Sequence, residues 1–296
     1  MIFDNLEQLE NKSFFAIIVG SGPAGISLAL KLEQKGYECL ILEAGSFNYE
    51  TENDNYTDGN VIGDNYNDLK IARSREFGGT SSRWGGNCSI LKEDDFDDWP
   101  IKKSNLDAYI KDARKILNIR NDLYHKNFSE NLDYFNVEWS NVSFKEKYFN
   151  HIKNSKKIFL SLDTIFCNLI GENGKIEKVK CYKNKFFFLK SKKVILSCGG
   201  IENSRLLLLS KEKNKSLFNF DLPIGKYFMD HPKHEVGQGI LVFKKFKNFI
   251  KSQNIFEFPT LECKNITLSL NNKIIKNEKI LNSGLELKLK RTKPNS

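Results

Sequence analysis

Apolar residues fall along this chain in two kinds of run. Residues 14 to 20 (FFAIIVG) are apolar and partly β-branched throughout, the pattern of a strand buried on both faces. From Ile26 to Leu32 apolar positions recur at helical spacing. Gly36 ends that helix, and 38 to 42 begin a second strand that stops at Glu43. Strand, helix and strand in this order predict a βαβ unit. Between 157 and 198 the pattern changes to short alternating runs: IFLSLDTIFCNLI, then KIEKVKCY, then FFFL, broken by GENG and KNK. These predict a β-meander hung on the first unit. Val194 to Cys198 (VILSC) is again apolar throughout and ends in Gly199-Gly200, as a buried strand returning to the parallel sheet should. A helix is expected from about Ile201 to Lys211.

The turn between the first strand and helix carries chemistry. It reads GSGPAG, with Gly20, Gly22 and Gly25 in GxGxxG spacing and Ser21, Pro23 and Ala24 between them. Each glycine has a mechanical role. Gly20 permits the tight turn, Gly22 lets a pyrophosphate approach the backbone, and Gly25 brings helix and strand close. The helix amides and the positive end of its dipole face the phosphates. Glu43, about 20 residues on and followed by Ala44, is placed to accept hydrogen bonds from both ribose hydroxyls, which favours an unphosphorylated adenosine ribose. Glycine-rich turns are common, but here Ala29, Leu32, Gly36, Glu43 and Gly45 also fall where the extended fingerprint wants them. The fingerprint serves FAD and NAD alike.

A second glycine-dense stretch, residues 73 to 86 (RSREFGGTSSRWGG), suits neither helix nor strand. It concentrates amides and hydroxyls able to close over another side of a pyrophosphate or flavin, although such a stretch alone also fits a plain surface loop.

Composition narrows the classes without naming one. At 296 residues the chain can bury a sizeable core in one large or two modest domains. The net charge of +9 raises the question of nucleic acid. The excess is mostly dispersed lysine, arginine is scarce, and basic and aromatic residues follow no familiar nucleic-acid motif, so a solvated lysine surface is expected instead. Six cysteines without a close-spaced pair suit reduced thiols, with no disulfide framework and no metal site. No basic leader and no membrane-length apolar run are present, so a cytoplasmic protein is expected.

Four places together resemble the glucose-methanol-choline family of FAD-dependent oxidoreductases. They are GSGPAG with Glu43; REFGGTSSRWGG; DDWPIKKSNLDAYIKDARKIL, similar to that family's connection out of the nucleotide-binding domain; and SCGGIENSRLLLLS followed by PIGKYFMDHP. The likeness runs from about Phe14 to His234, and the branch it suggests is that of sugar and polyol dehydrogenases and pyranose-oxidase-like enzymes. It implies an α/β architecture: a Rossmann-like FAD-binding fold of the glutathione-reductase type with a β-meander, interleaved with an incomplete α+β substrate domain. The FAD-binding domain is expected at 13–95 and 155–235, the substrate domain at 96–154 and 236–296. Residues 265 to 289 look like the start of the substrate-domain sheet, with an exposed edge, and KLKRTKPNS like a disordered tail.

Cofactor contacts implied by the resemblance are Gly20, Ser21, Gly22, Pro23, Ala24, Gly25, Glu43, Ala44, Arg75, Gly78, Gly79, Thr80, Ser81, Trp84, Gly85, Gly86, Ile165, Gly199 and Gly200. Where some members carry a histidine bonded to flavin, this chain has Arg83, which implies non-covalent FAD. Asn203-Ser204 and Lys211 depart from the family's usual Thr-Pro or Ser-Pro and Gly.

Oxidising an alcohol carbon requires a base for the hydroxyl proton. In the resembled family a histidine near the carboxyl end of a longer chain serves, and no residue here matches it. Among the four histidines, His125 and His151 are expected at the surface, and Asp230 and His231 in structural positioning. The expected activity is oxidation of a CH–OH donor, a sugar, polyol or other alcohol, with a complementing carboxyl-terminal polypeptide as a possible partner. Rival readings are a non-catalytic flavin-binding remnant or interaction protein, an NAD-binding enzyme and, more remotely, an RNA-binding protein.

Overall fold

The computed structural model describes residues 1–64, 66, 68–218, 221–230, 234–237 and 265–288, and His231 and the terminal KLKRTKPNS segment beyond Lys288 lie outside them. The chain divides into two units, Met1–Trp84 with Val142–Asp230, and Gly85–Asn141 with His231–Ser296. This division puts 85–95 with the second unit and 142–154 with the first, the reverse of their expected assignment.

Strands β1 (Ser13–Val19) and β2 (Cys39–Leu42) lie in the first unit. β3 (Asn87–Cys88), β4 (His125–Asn127), β5 (Leu132–Phe135) and β6 (Glu138–Trp139) lie in the second. β7 (Ile158–Ser161), β8 (Ile165–Glu172), β9 (Lys175–Lys183) and β10 (Lys185–Leu196) return to the first, and β11 (Asn265–Leu270) and β12 (Gly284–Lys288) to the second. Helices α1 (Glu7–Glu10), α2 (Pro23–Gln34), α3 (Leu69–Ala72), α5 (Phe144–Asn154) and α6 (Gly200–Lys213) belong to the first unit, and α4 (Lys103–Leu117) to the second.

The first unit is a mixed α/β, Rossmann-like fold. Its described sheet runs β7-β2-β1-β10-β9-β8, with β7, β2, β1 and β10 parallel. Every residue of β2 and β7 is buried, as expected of parallel strands covered on both faces. On one face α2 packs on β1, β2 and α5, burying Ile26, Ala29 and Leu32 at helical spacing. On the other face, Ile17, Val19, Leu40 and Leu42 meet Phe166, Leu169, Val179, Cys181, Phe187 and Leu189 of the meander in one apolar cluster.

Two readings of the meander change. The run IFLSLDTIFCNLI is two strands, because Asp163 turns left-handed (φ 52°) and sends β7 to the parallel sheet and β8 to the meander. FFFL and VILSC, expected as separate strands, belong to one continuous pairing segment that ends at Leu196. β10 pairs antiparallel with β9 through Leu189 and parallel with β1 from Lys190 onward.

In the second unit a sheet runs β12-β11-β5-β4, and β3 pairs with β6. The buried Lys92 ammonium ties its loop to this sheet, bonding Asp133 at 2.8 Å and the Leu270 carbonyl at 2.9 Å. Gly86, at φ +69°, is closed in by this unit: a Cβ there would come 2.2 Å from the Ser140 carbonyl. His125 is not a free surface residue. Its Nε2 lies 2.6 Å from the Ile90 carbonyl, and its ring tilts against Phe135. His151, in the first unit, is exposed as expected and pairs with Glu33.

Candidate functional site

The site assembles at the carboxyl ends of β1, β10 and β2, where parallel α/β sheets place ligands. β1 ends in the glycine turn. Gly22 is the N-cap of α2 and Pro23 fills its first position, where a missing N–H costs nothing. β10 ends beside it: the Ser197 amide donates to the Val19 carbonyl at 2.8 Å, and Gly199 caps α6. Neither helix has a side-chain cap, so the amides of both first turns are left for other acceptors.

The glycines separate by what surrounds them. A Cβ on Gly20 would come 2.8 Å from the Ser197 carbonyl, and one on Gly25 only 2.1 Å from the Gly20 carbonyl. Packing alone demands glycine at both. Gly22 is different: its φ is −69° and its imagined Cβ has only the Ser197 carbonyl, at 3.9 Å. Gly199 and Gly200 would meet no atom within 4 Å. No internal crowding explains glycine at Gly22 or Gly200, whereas close approach of a phosphate to the backbone would.

Glu43, at the end of β2, is buried, and its carboxylate is already engaged. Oε2 accepts from the Ser21 amide at 2.8 Å and the Ser21 hydroxyl at 2.6 Å, and Oε1 accepts from the Gly45 amide at 2.8 Å. A carboxylate offers about four acceptor sites. Accepting from both ribose hydroxyls therefore requires giving up one of these three bonds. Burial pushes the Glu43 carboxyl above its ordinary value, against the opposing pull of Ser21, Gly45 and the Arg75 charge.

Ser21 also joins the turn to the second glycine-rich stretch, since the Gly78 amide lies 3.2 Å from both its carbonyl and its hydroxyl oxygen. There Gly78 is left-handed (φ 93°), Gly79–Ser82 form a 3-10 turn, and a Cβ on Gly79 would come 3.0 Å from Gly22 Cα. Ser81 donates to the Gly78 carbonyl at 2.6 Å, and Thr80 accepts from the Ser74 amide at 3.3 Å. This loop therefore sits against the dinucleotide turn. Arg75 bonds the Ala44 carbonyl at 3.0 Å and stacks 4.0 Å over Tyr56, while its buried Nε has no partner. Burial lowers its pKa.

The remaining expected positions scatter. Ile165 opens β8, following Thr164, whose amide donates to the Glu43 carbonyl at 2.8 Å. Trp84 lies edge-on to Phe144, and Arg83 stacks over Tyr49. Gly85 and Gly86 belong to the second unit, where the Gly85 carbonyl accepts from the Trp139 indole.

Two residues outside the expected set shape the site. Ser197 donates to the Val19 and Gly20 carbonyls at 2.8 and 2.9 Å. Asn203 accepts from the Cys198 amide at 2.9 Å and donates to the Leu196 carbonyl at 3.3 Å, holding the β10–α6 turn. Its place after Gly-Gly-Ile-Glu was the only signal available. Burial pushes the neighbouring Cys198 thiol up to about 12, which disfavours its thiolate.

A family model described as an NAD(P)-binding Rossmann-like domain matches residues 18–48. No curated protein sequence matches the chain. Among solved structures, it is similar to pyridoxine 4-oxidase from Mesorbium loti (13% identity, TM-score 0.45, 66% of this chain and 51% of that one). A formate oxidase from Aspergillus oryzae RIB40 has 18% identity and a TM-score of 0.46 over 68% of this chain and 48% of its own. An FAD-dependent oxidoreductase from Chaetomium thermophilum has 14% identity and a TM-score of 0.48 over 67% and 47%. The chain spans about half the length of these structures. Among the described residues no helix is long and apolar enough to cross a membrane.

Proposed function

We propose that this chain binds FAD non-covalently and forms the nucleotide-binding part of an oxidoreductase acting on the CH–OH group of an alcohol, sugar or polyol. The observation that carries the binding reading is the pair of glycine-capped helix starts at the ends of adjacent strands. At Gly22 and Gly200 glycine has no packing reason but gives a pyrophosphate room against backbone amides. In this reading Gly20, Ser21, Gly22, Pro23, Ala24 and Gly25 hold the pyrophosphate, and Glu43 and Ala44 hold the adenosine ribose. Arg75 and the loop of Gly78, Gly79, Thr80 and Ser81 shield the dinucleotide from water. Trp84, Ile165, Gly199 and Gly200 complete the expected contacts within this unit.

When bound, the flavin would supply a two-electron acceptor for substrate hydride. This chain's own contribution is orientation and charge: amide donors for the phosphates, and a buried carboxylate kept in place by Ser21 and Gly45. FAD rather than NAD is favoured by the second glycine loop and the SCGGIENSR turn, and non-covalent attachment by Arg83. Residues 85–141 with 231–296 are assigned to the substrate side, and the base for the hydroxyl proton to a complementing carboxyl-terminal polypeptide.

The test is the visible spectrum of the purified chain after incubation with FAD and removal of free flavin. Yellow protein that releases its flavin on heating is expected. Colourless protein with native circular dichroism would sink the reading in favour of a chain that keeps the fold without the cofactor.

A further inference from the structure

The meander has a second face that the site does not use. On β9 and β10, Val179, Cys181, Phe187 and Leu189 point into the core, so the alternate positions point outward. Those positions hold Tyr182, Phe186 and Phe188, which are 40%, 53% and 41% exposed. Lys178, Lys180 and Lys190 lie among them. Tyr182 stands opposite Phe186 and Lys180 opposite Phe188 across the strand pair, so the rings and ammoniums form one patch. No acid occupies an outward position from 178 to 182 or from 186 to 190; the exposed Glu177 stands at the bulge where β9 loses this alternation. The acids that reach the strand edge are committed: Glu7 pairs with Lys185, and Glu10 accepts from the Phe188 amide at 3.4 Å.

Contiguous exposed aromatics ringed by lysine mark a surface that meets something apolar and anionic. We propose that this face docks peripherally on an anionic phospholipid bilayer, with the rings entering the headgroup boundary and the lysines meeting lipid phosphates. Single-stranded RNA fits the geometry less well. The Lys180 ammonium lies 4.1 Å over the Phe186 ring, and Tyr182 abuts that ring edge-on at 5.3 Å, so Phe186 is not an open stacking platform. The patch also has no arginine, the side chain best suited to stacking and bidentate phosphate recognition. The lysine excess of the whole chain then acts locally, through the few ammoniums beside the rings.

The experiment is co-sedimentation of the full chain with vesicles of phosphatidylcholine containing about one third phosphatidylglycerol, against vesicles of phosphatidylcholine alone. Each lysine near an anionic surface strengthens binding about fivefold, so three of them imply a preference on the order of 100-fold for the anionic vesicles, falling with added salt. Phe186→Ser with Phe188→Ser, and separately Lys178→Gln with Lys180→Gln, should each weaken binding at least about tenfold at unchanged circular dichroism. Lys35→Gln, at the C-cap of α2, should leave it unchanged. Equal binding to both vesicle types would overturn the proposal. So would wild-type affinity in both double variants, or binding of an oligouridylate probe by a chain that ignores the vesicles.

Discussion

At the end of β1, glycine is held in place by backbone packed against it: the Ser197 carbonyl crowds Gly20, and the Gly20 carbonyl crowds Gly25. At the end of β10, a Cβ on Gly199 or Gly200 would touch nothing within 4 Å, and only Gly199, at φ 86°, has a backbone reason to be glycine. Both turns start a helix without a side-chain cap, and they lie on neighbouring strands of one sheet. The fold thus largely demands glycine at the first turn, and at Gly200 only the proposed phosphate contact would. Gly22 belongs with Gly200 although it sits in the first turn, so the motif itself mixes the two demands.

The largest effect should come from Gly25→Ala. Its methyl would need the Gly20 carbonyl and the Ser197 hydroxyl to retreat, and overpacking of backbone that cannot retreat costs about 3 kcal/mol, the upper end of the usual range. Urea unfolding should show this, and a cost under about 1 kcal/mol would mean that α2 can slide away from β1.

Glu43→Gln should cost less, about 1–3 kcal/mol, because an amide presents one oxygen where the Ser21 and Gly45 amides now meet two. The pH dependence has a definite sign. Burial raises the folded-state pKa of Glu43, so the folded state holds the proton more tightly than the unfolded one. Its contribution is fully present below the unfolded carboxyl value and is lost as pH rises through the folded value. Wild-type stability measured against Glu43→Gln should therefore decline as pH rises from about 4.5. A rising difference would mean that the bonds from Ser21 and Gly45 outweigh burial.

Gly200→Ala should change stability by no more than about 0.5 kcal/mol, because its φ is helical and its surroundings are open. The same variant should weaken FAD binding about tenfold or more in a flavin titration, if the phosphate approaches there. Unchanged affinity would return Gly200 to the class of incidental glycines and separate the two turns in function.

The βαβ unit was readable because its signals are local: a buried run, three glycines at fixed offsets, and an acid at the end of the next strand. What sequence could not reveal depended on distant partners. The polar stretch Lys190–Lys193 reads as a break between FFFL and VILSC, yet it pairs with Ser13–Ala16 at the edge where β10 changes neighbours. Asp163 interrupts an apolar run because its amide bonds the Gly45 carbonyl, 118 residues earlier in sequence. Glu43 was found by spacing, but its commitment to Ser21 follows from a serine hydroxyl whose orientation no spacing predicts. His125 looked like a surface residue because the Ile90 carbonyl that holds it comes from a loop with no periodicity.

β10 carries a further consequence, one of timing. Val19 finds its bond to Ser197 178 residues later. At a synthesis rate of about 5–20 residues per second, the open edge of β1 waits on the order of ten seconds or more for the strand that covers it. Through that interval only β2 lies beside it, and any other extended apolar segment is a competitor. β1 is therefore among the last strands of its sheet to be enclosed, and its exposed interval ends only when β10 arrives.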